Sequence, residues 1–194
     1  MVNFSMPSRQ PPARSHQKRD LYRLLIARSD LNASLNACDL ILKNVKSVKD
    51  ENLYPLTTSV VVCYSRPFTV NKPFGSLPNK WSKFDKPQYQ ATHEKLLQAR
   101  HELFAHSDMN VRKAQIVPPN VPLVIDEVKE LKSPEISTQV SYILFEIDFF
   151  KIVRETNLDL GRRMQAEIDK MIIDLYGNMQ LPNEAFNLRV DDGL

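Results

Sequence analysis

The run Leu96-Leu97-Gln98-Ala99-Arg100-His101-Glu102-Leu103-Phe104-Ala105-His106-Ser107-Asp108 places a guanidinium and an imidazole six residues apart inside a stretch of helical periodicity. A planar guanidinium donates two parallel hydrogen bonds to phosphate oxygens. An imidazole with an unperturbed pKa of about 6.5 takes or gives a proton near neutrality, and positioned proton transfer is worth roughly 10²–10⁴-fold. Together they suit attack of a ribose 2′-hydroxyl on its own phosphodiester, which needs negative charge stabilised on phosphoryl oxygens and protons moved, but no metal. Arg100 is the candidate for holding the phosphate and His106 for moving the proton. His101 is a further site candidate and His93 a secondary one, while Asp108 either orients an imidazole or caps the following turn.

The helix itself draws attention to Arg100. At about 100° per residue it lies about 40° from Leu96, on the side of Leu97, Leu103 and Phe104, whereas Glu94, Lys95, Gln98 and Glu102 already supply a solvent face. A cation on an apolar stripe is costly unless it is paired, placed at an interface or used on an anion. On an ideal helix His106 falls about 120° from Arg100, so either the helix ends near Ala105 or two copies of the chain contribute to one site. Arg9 and His16 are loosely similar in spacing but stand among Pro7, Pro11 and Pro12, where no helix is expected.

Arg100, His101 and His106 resemble the signature of the HEPN superfamily of helical RNase toxins and RNA-processing domains: an arginine, a polar residue, three to five others, then histidine. Phe104-Ala105-His106-Ser107-Asp108 resembles the end of that motif in abortive-infection-type members, and Tyr64-Ser65-Arg66-Pro67-Phe68 is similar to a run in the same subset. The resemblance implies an all-helical fold over residues 18–180, a toxin- or defence-type endoribonuclease that needs neither metal nor cofactor, and a homodimer whose two motifs face each other. RNA and an antitoxin protein are the partners it implies. A second reading is a non-catalytic dimeric helical module that binds RNA or a protein. A third is an unrelated interaction protein in which Arg100 pairs with a buried acid such as Glu146 or Asp148.

The elements that must position these residues follow from apolar spacing. Leu21, Leu24, Leu25, Leu31, Leu35, Cys38, Ile41, Leu42 and Val45 predict a long helix over 19–45. A second helix is expected over 56–64 although Thr57 to Val62 has strand propensity, because no strand partner is evident. A third, over 92–105, carries the motif. Two more are expected over 135–156 and 158–179, broken at Asn157, with Ile136, Val140, Ile143, Leu144, Ile147 and Phe150 facing Met164, Ile168, Met171, Ile172 and Leu175. The expected fold class is therefore an all-α, up-and-down bundle of about five helices. Residues 1–17 read as a disordered, basic, Pro-rich tail and 181–194 as a C-terminal tail, and residues 111–131 form a connector able to make a small hairpin.

Between the second and third helices runs a long Pro-rich loop, irregular over 66–90, in which Phe68, Phe74, Trp81, Phe84 and Tyr89 alternate with Lys72, Lys80, Lys83 and Lys86. Interleaved rings and cations suit stacking on single-stranded bases, so Lys72, Lys80, Lys83, Lys86 and Trp81 are candidate RNA contacts. The alternative is that the rings pin the loop to the bundle while the lysines stay in water. Charge is distributed to match an RNA face: residues 66–113 hold nine Lys and Arg against four acids, while residues 114–194 hold eight against fourteen.

A chain of 194 residues with 42% hydrophobic content supports one sizeable core. Cys38 and Cys63 have no histidine or second cysteine at ligand spacing, so no zinc site is expected, and both read as reduced core residues of a cytoplasmic protein. The longest uncharged stretch, Asn52 to Ser65, is 14 residues and contains Pro55, too short for a membrane span.

Overall fold

In the computed structural model the described residues are 12–70, 75–105, 112–126, 129–132, 134–142 and 145–188. Helix α1 spans Pro12–Asn44, α2 Leu53–Ser65, α3 Pro87–Ala99 and α4 Phe149–Tyr176. The architecture is an all-α bundle with four α-helices among the described residues, one fewer than the periodicity predicts. Short 3-10 turns at Arg66–Phe68 and Asn79–Ser82 punctuate the connection from α2 to α3.

Helix α1 begins at Pro12, inside the segment expected to be disordered; proline at a first helical turn forfeits no hydrogen bond, since that amide has no partner within the helix. Its Leu21, Leu24, Ala27, Leu31, Ser34, Cys38 and Ile41 are all buried, at three- and four-residue intervals, and Val45 just beyond its end is buried with them. They pack against α2 and α4, while α3 lies against α4 and α2. In α2, burial of Leu53, Val60, Val61 and Tyr64 overrides the local strand propensity.

The region after the motif departs from the expected helical hairpin. The described residues of 135–148 form no helix: Ser137–Tyr142 is strand β4, paired antiparallel with β1 at Arg112–Val117. Strand β2, Pro122–Asp126, pairs with β3, Lys129–Lys132. These two-stranded ladders form a ribbon inserted in sequence between α3 and α4. Its bend at Pro118 to Val121 is closed by the Val121 amide donating to the Pro118 carbonyl at 3.3 Å, with Asn120 at φ 60°. Asparagine tolerates that left-handed conformation better than most residues.

Asn157, expected to break the chain between two helices, lies inside the single helix α4. Phe150, Val153, Leu160, Met164, Ile168 and Leu175 of α4 line the core, whereas Ile136 stands 70% exposed on the ribbon side and Ile172 is exposed. No helix among the described residues is long and apolar enough to cross a membrane.

Candidate functional site

Arg100 closes α3. Its amide donates to both Leu96 and Leu97 carbonyls, a shared bond at the point where the chain widens into a π-helical segment, Arg100–Ala105. Such widened turns recur at functional sites, because they re-aim the side chains that follow. The Arg100 side chain is half-buried and makes no hydrogen bond or ion pair among the described residues. Asp148, one of the acids that could have neutralised it, instead pairs with Lys151 at 2.6 Å, and Glu146 has no ion pair among the described residues. His101 is exposed. His106, Ser107 and Asp108 lie outside the described residues, so the convergence of Arg100 and His106 rests on sequence alone.

The apolar stripe around Arg100 divides between two duties. Leu96 is fully buried and Ala99 nearly so within the chain's own core, while Leu97 and Arg100 are half-buried. One turn earlier Lys95 lies over the Phe145 and Phe149 rings, with Nζ 5.2 and 4.5 Å from their centroids. Lys95 is thus held over ring faces, and at five residues' spacing on an ideal helix it lies about 140° around α3 from Arg100.

The loop proposed to meet RNA is arranged otherwise. Trp81 is 5% exposed and Tyr89 is buried, so neither ring offers a face for a base to stack on; this corrects the reading of Trp81 as an RNA contact. The cause lies eighty residues away in α4. Arg163 donates to the Lys83 carbonyl at 2.9 Å and the Lys80 carbonyl at 3.0 Å, and its guanidinium lies 5.8 Å from the Trp81 centroid and 5.3 Å from that of Phe84. Lys80 pairs with Glu167 at 3.0 Å, and Lys86 lies over Tyr89 and donates to its hydroxyl at 3.2 Å. Lys80 and Lys86 are thus engaged within the fold. Lys83 is exposed, and Lys72 lies outside the described residues.

Sequence reasoning gave His93 a secondary place in phosphate chemistry, whereas the structure puts it at the centre of a buried aromatic cluster. It is 2% exposed, its Nδ1 is 3.0 Å from the Tyr64 hydroxyl, and the rings of Phe68, Phe84 and Tyr64 lie 4.6, 5.3 and 5.8 Å from its own. Nε2 is buried without a partner among the described residues. Burial, opposed weakly by the Glu94 carboxylate, pushes the imidazole down to about 4, and burial likewise raises the Tyr64 phenol. His93 is therefore a neutral core histidine. The signal for it was the Tyr64 to Phe68 run, whose two rings, four residues apart, lie 5.7 Å from each other and both meet His93.

Cys38 is buried, its thiol donating to the Phe150 carbonyl at 3.0 Å, and burial pushes it up to about 12. That excludes a reactive thiolate there. Among the described residues no group of three His, Cys, Asp or Glu side chains is placed to hold a metal ion. No family model, curated protein or solved structure matches the chain.

Proposed function

We propose that this chain is a metal-independent endoribonuclease of the HEPN type, acting through Arg100 and His106. The observation that carries the reading is the half-buried Arg100, beside the buried Leu96 and Ala99 at a π-helical widening and without an acid partner among the described residues. A fold that retains such a cation at a cost to stability has a use for it, and a transferring phosphate is the anion a guanidinium fits best.

In this mechanism Arg100 donates to the non-bridging oxygens, stabilising the charge that builds on them as the 2′-oxygen attacks phosphorus. His106 moves the proton that the reaction must transfer, from the 2′-hydroxyl or to the departing 5′-oxygen. The products are a 2′,3′-cyclic phosphate and a 5′-hydroxyl. A second copy of the chain, docked on the half-exposed Leu97 and Arg100 side of α3, supplies the facing motif.

The test is incubation of the purified protein with single-stranded RNA in excess chelator. Cleavage to cyclic-phosphate ends, with a matching DNA left intact, supports the reading. Cleavage only with added divalent ion, or none on any RNA, overturns it. Binding without cleavage leaves the non-catalytic dimeric module, and neither binding nor cleavage leaves an interaction protein.

A further inference from the structure

His93 joins three elements at one buried point. It belongs to α3, its hydrogen-bond partner Tyr64 belongs to α2, and the rings closing over it, Phe68 and Phe84, belong to the connection between those helices. Apolar rings solvate a neutral imidazole adequately. They cannot solvate an imidazolium, whose two N–H groups both need acceptors. The Tyr64 oxygen can receive one of them, but Nε2 has no acceptor among the described residues.

The charged and titratable groups around this point do not supply the missing partner. From α2 there is the Tyr64 hydroxyl, already used. From α3 there is Glu94, exposed on the adjoining face and hydrogen-bonded to Gln90 at 2.8 Å. From the connection come Lys83 and Asp85, both exposed, on either side of Phe84. From α4 comes Arg163, a cation over the far ring of Phe84, which opposes a second positive charge nearby.

We propose that His93 is an acid-sensitive latch: proton uptake at its buried, unpartnered Nε2 forces apart its contacts with Phe68 and Phe84 and releases the segment carrying Trp81 and Phe84 from α3. The α1, α2 and α4 core carries no histidine among the described residues: its own buried atoms without a hydrogen bond there, Arg28 Nε, Thr57 Oγ1 and Asn157 Oδ1, belong to side chains that take up no proton on acidification. The segment rather than the bundle gives way, since beyond its rings it is held by the Arg163 clamp, the exposed Lys80–Glu167 pair and the Phe84 amide donating to Gln90 at 3.1 Å. With the closed-state imidazole at about 4 against an ordinary 6.5, full protonation weakens docking by about 300-fold.

The chain carries its own reporter, because Trp81 is its single tryptophan and is buried in the segment concerned. On acidification from pH 7.5 to 4, the expected result is a red shift of Trp81 emission and new access to a neutral quencher, with a midpoint between 6.5 and 4 and helical circular dichroism retained. His93→Phe should remove the transition, and Glu167→Gln, which frees Lys80 on the same segment, should keep it. Should His93→Phe not fold, the His93 ring proton followed by NMR in the wild-type chain must titrate at the same midpoint. The proposal is overturned by an unchanged Trp81 signal down to pH 4, by fluorescence changing only together with loss of helix, by a transition that survives in His93→Phe, or by a ring titration at a different midpoint.

Discussion

Asn157 Nδ2 donates to Ser34 Oγ at 3.4 Å across the α4 and α1 interface, and the Ser34 hydroxyl donates onward to the Val60 carbonyl of α2 at 3.0 Å. Asn157 also donates to the Val153 carbonyl at 3.1 Å, one turn back in its own helix. Both side chains are buried, so this short polar chain helps to fix the register of three helices, together with the Cys38 thiol on the Phe150 carbonyl and Arg154 on Asp39 at 2.7 Å between α1 and α4.

Asn157→Ala discriminates between the continuous α4 and a pair of helices broken at that residue. At an exposed break, where Asn157 would cap the second helix, the substitution costs about 1 kcal/mol and shows no coupling to Ser34. Within α4 it leaves a cavity and an unbridged Ser34, at a cost of about 2 kcal/mol, while Ser34→Ala costs about 1 kcal/mol. Urea unfolding of the two single variants and the double variant measures both losses. A smaller combined loss than their sum would establish the coupling.

The stability of the fold should fall on mild acidification for a reason specific to His93. Its folded-state pKa lies below its ordinary value, so the unfolded chain binds the proton first. The stabilisation is complete above pH 6.5 and is lost progressively as pH falls toward 4. At pH 4.5 the wild type should have lost about 2 kcal/mol more than His93→Phe, both measured against pH 7.5 by urea unfolding. An equal loss in the two proteins would assign the pH dependence to carboxylates elsewhere.

Arg163→Met keeps an apolar stem over the rings while deleting the two donors to the Lys80 and Lys83 carbonyls. Because Arg163 is partly exposed, the stability cost should be about 1 kcal/mol. The local effect should be larger than that figure suggests: Trp81 should become accessible to acrylamide at neutral pH. Unchanged quenching would mean that ring packing alone holds the segment.

Much of this fold was legible in the sequence because α1 presents a single, regular face; Leu21, Leu24, Leu31, Cys38, Ile41 and Val45 read as buried and are buried. The ribbon was not. Ile136, Val140, Ile143 and Leu144 match helical spacing, yet Thr138, Val140 and Tyr142 alternate with Ser137, Gln139 and Ser141, and the pairing with β1 decided between the two periods. At the site, the position of Arg100 on the core-facing side of a helix was legible from spacing alone. The destination of the loop rings was not, because local composition cannot reveal that Arg163, in another helix, would draw Trp81 and Phe84 inward.

Arg100 offers the sharpest separation of function from stability. The residue is half-buried beside the buried Leu96 and Ala99, and its side chain makes no hydrogen bond or ion pair among the described residues. Replacing it by methionine removes an unpaired charge while retaining a flexible apolar chain of similar reach, so thermal stability should hold or rise, by up to about 1 kcal/mol. If the guanidinium stabilises a transition-state phosphate, the same variant should lose RNA cleavage by 10²-fold or more, as deletion of a preorganised donor does elsewhere. Lysine at this position restores the charge but not the two parallel donors, and should recover RNA binding better than cleavage. Differential scanning calorimetry and a single-turnover assay on labelled RNA measure the two properties separately. A variant that unfolds several degrees lower would mean that Arg100 has a structural partner, and the phosphate role would then have to be abandoned.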